Sequence, residues 1–262
     1  MTLKITKYYL TKNDCYKAGR KIKPTGIVVH STGSNNPNLC RYVGPDDGVL
    51  GKNKYNNHWN RSGVSKCVHA FIGKAADGTV MVYQTLPWDH RGWGVGSGKK
   101  GSYNNSHIQF EICEDNLKNA DYYKKAFDVA AELCAYLCKK YNLPASSVVG
   151  HYEAHDAGYA NNHGDPRNWQ KKHNDSMDAF RVRVAALIAG VKVENTEETK
   201  QPQKETASTV SQTIYTVQKG DSLWKIAKKQ LGNGNKYKLI QSANGMNGDL
   251  IHVGQKLKIP KG

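Results

Sequence analysis

The chain is organised around Ile27-Val28-Val29-His30-Ser31-Thr32-Gly33, in which three β-branched residues precede a histidine and a small polar turn. This pattern is typical of a buried strand that ends at the histidine. A strand end is a position from which His30 can serve as a metal ligand. The same residues are equally compatible with a buried, hydrogen-bonded histidine, so the rest of the chain has to decide.

A second histidine follows a similar strand. Val148-Val149-Gly150-His151 is a short apolar run that also ends in a histidine, about 120 residues after the first. The two strand ends can lie side by side if the strands are neighbours in one sheet. A catalytic zinc ion needs only three protein ligands and keeps a fourth position for water. The segment after the second strand offers three candidates for the third ligand: His155, His163 and Asp165.

The strands between these histidines have recognisable patterns. Residues 68–72 and 80–84 flank Asp77-Gly78, a strong turn signal, and predict a hairpin whose first strand carries His69. Residues 108–113 alternate, which places Glu111 on the face opposite the apolar side chains.

The helical segments are also clear from their periodicity. Apolar residues recur at steps of three and four over 121–141, which predicts a long amphipathic helix. A second helix is predicted over 177–189, with Ser176 as its N-cap. Residues 35–65 are rich in Asn, Gly, Asp and Lys. They predict a functional loop with little regular structure that is too polar to belong to the core.

The histidines, the aspartate and the glutamate of these segments resemble those of a known enzyme family. His30 in IVVHST, His151 in VVGHYE and Asp165 in HGDP resemble the zinc ligands of N-acetylmuramoyl-L-alanine amidases related to phage amidase-type lysozymes and peptidoglycan-recognition proteins. The resemblance covers roughly residues 20–190, and Glu111 in HIQFEICED matches the catalytic glutamate of that family. It implies an α/β domain with a central mixed sheet flanked by helices, and zinc-assisted hydrolysis in which Glu111 takes a proton from water.

Two positions depart from the family pattern. His163 stands where a lysine is common, which leaves open whether it is catalytic, binds metal or caps the loop. Gly94 follows Trp93 where relatives often carry Trp-His, and glycine cannot supply a hydrogen-bonding side chain. His69 and Trp93 are candidate substrate contacts. A hydrogen-bonded strand histidine and a surface-packing tryptophan are their respective alternatives.

The composition changes once along the chain. Residues 191–213 are polar with few large apolar side chains, which predicts a flexible linker. It separates an expected catalytic domain, residues 1–190, from a tail, residues 214–262.

The tail resembles a LysM domain. The resemblance rests on residues 214–227 (IYTVQKGDSLWKIA) and 254–260 (GQKLKIP), and the apolar pattern agrees with a β-α-α-β unit. LysM domains bind glycans that contain N-acetylglucosamine, so the resemblance implies a wall-binding module. The loops 220–223 and 244–251 are the expected groove. Its candidate contacts are Asp221, Ser222 and Leu223.

Charge and hydropathy limit the possible binding partners and the cellular location of the protein. The 38 basic and 22 acidic residues give a net charge of +16, which predicts an anionic partner such as nucleic acid, acidic lipid or an anionic wall polymer. No apolar stretch approaches the ~20 residues of a membrane span, and the N-terminus lacks the apolar core of a secretory signal. We expect a protein made in the cytoplasm that reaches the bacterial wall by release or by another route of secretion.

All six cysteines lie in the first 140 residues, without a CxxC pair. This distribution favours reduced thiols. Cys134 and Cys138 are one turn apart on the long predicted helix. They have the spacing to share a metal, but small core residues are the better interpretation.

Together these patterns predict a peptidoglycan hydrolase, an endolysin or autolysin. It would cleave the amide between N-acetylmuramic acid and the L-alanine of the stem peptide. A non-catalytic peptidoglycan receptor is the main alternative, disfavoured because every ligand position and Glu111 are present. Only the charge suggests a nucleic-acid-binding protein or nuclease, which would leave the LysM-like tail unexplained, so no nucleic acid is expected as a partner.

Overall fold

The computed structural model describes residues 3–190 and 213–260, apart from 219, 245, 247 and 248. The chain divides into two compact units, Met1–Thr196 and Glu197–Gly262, and each has its own apolar core. The predicted linker, 191–213, lies outside the described residues except for its last residue.

The described part of the first unit contains a six-stranded sheet, formed by β1 (Ile5–Lys7), β2 (Gly26–Ser31), β3 (Ala70–Lys74), β4 (Val80–Gln84), β5 (His107–Ile112) and β6 (Val148–Gly150). Their spatial order is β1-β4-β3-β5-β2-β6. β3 and β4 form the predicted antiparallel hairpin, and the other four pairs are parallel. The sheet is therefore mixed, as predicted. All six residues of β2 are buried, which suits its inner position between β5 and β6.

In its described part the first unit also has five α-helices: α1 (Asp14–Ala18), α2 (Ala120–Tyr141), α3 (His151–Asp156), α4 (Arg167–Lys172) and α5 (Met177–Ile188). Short 3-10 helices lie at Leu39–Arg41, Tyr103–Asn105 and Ala145–Ser147. The Asn119 side chain accepts the backbone N–H of Tyr122 in the first turn of α2, and Ser176 caps α5 in the same way by accepting the N–H of Ala179. Both long helices thus lie within one residue of their predicted bounds. Among the described helices, none combines the length and apolar character that crossing a membrane requires.

One face of the sheet is apolar and forms the main core. Ile27, Val29 and Phe110 are fully buried there, in a cluster that includes side chains of α2 and α5. Each such side chain contributes about 1.5–3 kcal/mol on burial, so this face fixes how β2 lies against β5. Because side chains alternate along a strand, the opposite face receives the polar residues, including His30 and Glu111.

The loop 35–65 is mostly irregular, as predicted. The expectation that it is too polar for the core is wrong, however. Leu39, Val43 and Leu50 of this loop are buried and belong to a second apolar cluster that includes Phe71 of β3. A few apolar residues suffice to cover this side of the hairpin, and the average composition of the loop conceals them.

The expectation of six reduced cysteines is also wrong. Cys15 in α1 and Cys67, just before β3, form a disulfide with their Cα atoms 6.4 Å apart. Fifty-two residues separate them in the sequence, so no local spacing pattern reveals the pair. Cys134 and Cys138 are free and buried within α2, which supports their interpretation as small core residues.

Reduction of this disulfide is expected to lower the unfolding free energy by about 2–4 kcal/mol. The physical reason is that the bond restricts the unfolded chain by closing a loop between residues 52 positions apart. Thermal unfolding with and without reductant measures the effect. The Cys15→Ser/Cys67→Ser protein is the control, and its melting temperature should be the same with and without reductant. An equal melting temperature of the unmodified protein under both conditions would contradict the prediction.

The second unit forms the predicted β-α-α-β arrangement. Its described elements are β7 (Thr213–Thr216), α6 (Leu223–Leu231), a 3-10 turn (Gly234–Lys236), α7 (Tyr237–Ala243) and β8 (Lys256–Ile259). β7 and β8 pair antiparallel. Val217, Leu223, Ile226 and Leu257 are among the residues that form its small core.

Candidate metal centre

Parallel pairing brings the two strand-end histidines together. β2 lies beside β6 with Val29 opposite Gly150, so His30 and His151, the next residues along each chain segment, are neighbours. Their ring centroids are 4.8 Å apart. On the other side of β2, the register places His30 opposite Glu111 of β5. The predicted juxtaposition of the two strand ends is thus present.

Asp165 completes a group of three possible ligands. Its carboxylate oxygens lie 3.1 Å from Nδ1 of His30 and 3.4 Å from Nδ1 of His151. The two Nδ1 atoms are 3.1 Å apart. Ligands bonded to zinc at ~2.0–2.1 Å in a tetrahedron are separated by about 3.3 Å. These three side chains form the one cluster of its kind found among the described residues.

The hydrogen bonds of the outer ring nitrogens determine which nitrogen of each histidine carries the proton. Nε2 of His30 lies 3.2 Å from Oε1 of Gln109, and Nε2 of His151 lies 3.0 Å from Oδ1 of Asn161. An amide oxygen only accepts hydrogen bonds, so each Nε2 carries the proton and each Nδ1 presents a lone pair. Burial lowers the pKa of His30, which also favours its neutral form.

The donor set therefore fits a divalent cation. Two nitrogen lone pairs and a carboxylate point at one another at close range and repel each other unless a positive charge lies between them. Imidazole and carboxylate ligands in this number suit zinc.

Glu111 lies beside this group with a free carboxylate oxygen. Its Oε2 is buried and makes no hydrogen bond. Burial, followed by the charges of Asp165 and Glu114, raises the pKa of Glu111 well above its usual range. A carboxyl group with no fixed partner and a raised pKa can take up and release a proton, so the chemistry of its surroundings is compatible with the predicted base.

His163 lies at the exposed side of the group. Its ring stacks on that of His151 with centroids 4.8 Å apart, and its Nδ1 is 3.8 Å from the Asp165 carboxylate. More than half of the His163 side chain, 57%, is exposed, so it remains accessible to a substrate. Its catalytic role stays a prediction. Trp93 is also 46% exposed and lies under the Arg91 guanidinium, and its substrate contact likewise stays a prediction.

His69 does not line an open site. Its side chain is fully buried, its Nε2 donates to the backbone oxygen of His90, and its Nδ1 accepts the backbone N–H of Gln109. The predicted substrate contact is therefore corrected: His69 is a buried, hydrogen-bonded histidine, as its alternative held, but it lies immediately before β3 rather than within it. The turn signal at Asp77-Gly78 predicted the hairpin next to His69 but gave no information on the chain that covers this histidine.

The unfolding free energy is expected to fall as the pH decreases from about 6.5 to about 4. Burial lowers the pKa of both His69 and His107 from 6.5 to about 4. Unfolded histidines gain protons near pH 6.5, so acid favours the unfolded chain throughout this interval, whereas above it neither state changes charge through these groups. Urea unfolding at several pH values measures the loss. An imidazole NMR titration that gives His69 a pKa near 6.5 would contradict it.

In the second unit, the three candidate glycan contacts have clear structural positions. The Leu223 side chain is only 2% exposed in the core, so the prediction that it contacts glycan is wrong. Asp221 accepts hydrogen bonds from the Tyr215 hydroxyl and the Gln218 N–H, and Ser222 caps α6. Glycan contact by Asp221 and Ser222 stays a prediction. Part of the predicted groove loop, 244–251, lies outside the described residues.

Sequence comparison identifies families for both units. Residues 20–168 match the N-acetylmuramoyl-L-alanine amidase family, and residues 215–260 match the LysM domain. The chain is 42% identical over 72 residues to N-acetylmuramoyl-L-alanine amidase CwlH of Bacillus subtilis (strain 168), which is 27% of each chain. It is 52% identical over 52 residues to amidase sle1 of Staphylococcus epidermidis, which is 20% of this chain and 15% of that protein. The matches thus span about a quarter or less of these relatives.

Solved structures share the fold of the first unit. A mutant of PlyL is 20% identical, with a TM-score of 0.50 over 70% of this chain and 98% of its own. The catalytic domain of XlyA is 22% identical, with a TM-score of 0.50 over 70% and 99%. At these identities the likeness establishes a common fold.

Proposed function

The chain belongs to the N-acetylmuramoyl-L-alanine amidase family, which more than half of its length matches, and on this basis we propose that it hydrolyses peptidoglycan. The bond cleaved is the amide between the lactyl group of N-acetylmuramic acid and the L-alanine of the stem peptide. One observation carries this proposal: three ligand atoms, from His30, His151 and Asp165, converge beside the unpaired carboxylate of Glu111.

The metal expected at these three residues is zinc. A zinc ion held there supplies Lewis-acid chemistry, which allows water to act as a nucleophile near neutral pH. The ligand atoms lie close together in the folded chain. The parallel pairing of β2 and β6 fixes His30 beside His151, and the Asp165 carboxylate faces both rings.

The proton transfers fall to Glu111. Because its Oε2 has no hydrogen-bond partner, it can accept a proton from the attacking water without first breaking a contact. The same group can then pass the proton to the departing amine of L-alanine. His163 is exposed beside the ligands, and its proposed role is to donate a hydrogen bond to the amide oxygen as negative charge develops there.

The proposed domain organisation adds binding to catalysis. Residues 1–190 form the catalytic domain, 191–213 the linker and 214–262 the LysM module, which would bind glycan that contains N-acetylglucosamine. Holding the enzyme on an insoluble wall raises the local concentration of substrate without new contacts at the catalytic site. The charge of +16 suits anionic wall polymers as additional partners. The place of action is the bacterial cell wall, as an endolysin or autolysin.

Digestion of purified peptidoglycan tests this function. We expect new amino-terminal alanine, no new reducing sugar ends, loss of activity with a chelator and recovery with added zinc. New reducing ends would instead indicate a glycosidase. Tight binding without release of either product would indicate the non-catalytic receptor.

A further inference from the structure

Both metal-facing histidines rest against a side-chain amide. Gln109 accepts the Nε2 proton of His30, and Asn161 accepts that of His151. Neither amide belongs to the predicted ligands or to the proposed catalytic pair. Outer partners of this kind fix the orientation of a ligand ring and the nitrogen that carries its proton.

The orientation of the Gln109 amide is fixed by its other hydrogen bond. Its Nε2 donates to Oδ1 of Asn104 at 2.8 Å. That oxygen also accepts the backbone N–H groups of Gly94 and Val95, at 3.0 and 3.2 Å. Gln109 and Asn104 are both fully buried. The amide oxygen of Gln109 is therefore the atom that faces His30.

The absence of a side chain at Gly94 is part of this arrangement. A Cβ at this position would collide with Oε1 of Gln109, the atom that faces His30. Glycine at 94 thus has a physical reason in this chain, because it leaves room for the amide that orients a ligand.

The same backbone segment, residues 94–96, also holds Asn161. The Asn161 backbone N–H donates to the Val95 carbonyl at 2.8 Å. A Cβ on Gly96 would lie 2.9 Å from Cγ of Asn161, so the amide packs directly on this segment. One loop therefore supports the outer partners of both histidines.

We infer that Gln109 and Asn161 are positioning residues, which present Nδ1 of His30 and of His151 to the metal. Residues 94–96 hold both amides in place. This inference rests on the proposed metal site. Because an amide is uncharged, it fixes each ring without adding a negative charge, and the imidazoles stay neutral. Asp165 then remains the one charged group among the ligands.

Zinc affinity of the full chain, measured by competition with a chelator, tests this inference. Asn161 is exposed, and its backbone bond to Val95 does not involve the side chain, so Asn161→Ala removes the acceptor while leaving that backbone bond in place. We expect zinc binding to weaken about 10–100-fold. Asn161→Asp keeps an acceptor and should restore most of the affinity. Asn162→Ala, at the exposed neighbour, is the matched control and should bind as the unmodified chain does.

Gly94→Ala tests the other histidine, since the added methyl group displaces the Gln109 amide. We expect a similar loss of zinc affinity, together with a lower melting temperature of the metal-free protein, because the buried Gln109 amide has to move. The inference is overturned if Asn161→Ala and Gly94→Ala bind zinc within twofold of the unmodified chain, or if Asn161→Asp binds as weakly as Asn161→Ala. An unmodified chain that binds no zinc would instead overturn the proposed metal site itself, and this inference with it.

Discussion

Glu111→Gln is expected to abolish hydrolysis while zinc remains bound. The substitution keeps the shape of the side chain but removes the group that takes and returns a proton, a contribution of about 100- to 10,000-fold in rate. Stability should not suffer, because Oε2 of Glu111 makes no hydrogen bond that glutamine would lose. Its raised pKa also shows that its charge is not stabilised by its surroundings.

The measurement combines the rate of release of alanine amino groups with the zinc content of the same sample. Glu132→Gln is the control, because Glu132 lies in α2, on the other side of the sheet from the metal ligands. Full activity in Glu111→Gln would remove the assignment of the base. Loss of zinc together with activity would show that Glu111 holds the metal centre rather than transferring protons.

The second large effect is expected from the ligands. His30→Ala and Asp165→Ala should each reduce zinc affinity more than 100-fold, because removal of a direct ligand exceeds the ~10–100-fold loss that an outer partner typically causes. Hydrolysis should fall in parallel. Dialysis against a weak chelator, followed by metal analysis, measures the retained zinc.

His155→Ala is the matched control for this experiment. His155 was a competing candidate for the third ligand. Its Nδ1 lies 3.3 Å from a carboxylate oxygen of Asp156, however, and it does not belong to the ligand cluster. The variant should retain zinc. If His155→Ala lost zinc and Asp165→Ala kept it, the third ligand would have been assigned incorrectly.

Much of the site could be predicted because local patterns determine strand ends. The apolar runs before His30 and His151 specify buried strands, and two buried strands tend to share a sheet. Alternation alone placed Glu111 on the polar face of β5, where the register sets it opposite His30. These properties belong to single segments of the chain, so the sequence reveals them.

Features that join distant segments could not be predicted in this way. Nothing in the spacing of Cys15 and Cys67 links them across the loop they close. His69 was a candidate contact because the sequence predicts the hairpin beside it but not the chain segments that bury its side chain. The positioning role of Asn161 depends on residues 94–96, more than sixty positions earlier, and no local pattern records that contact.

Anomalous diffraction at the zinc absorption edge, from crystals of the zinc-loaded chain, tests most directly that three residues bind one catalytic metal ion. We predict a single strong peak about 2.0–2.1 Å from Nδ1 of His30 and of His151, and at a similar distance from a carboxylate oxygen of Asp165. A zinc peak at other side chains, with none between these three, would contradict the account.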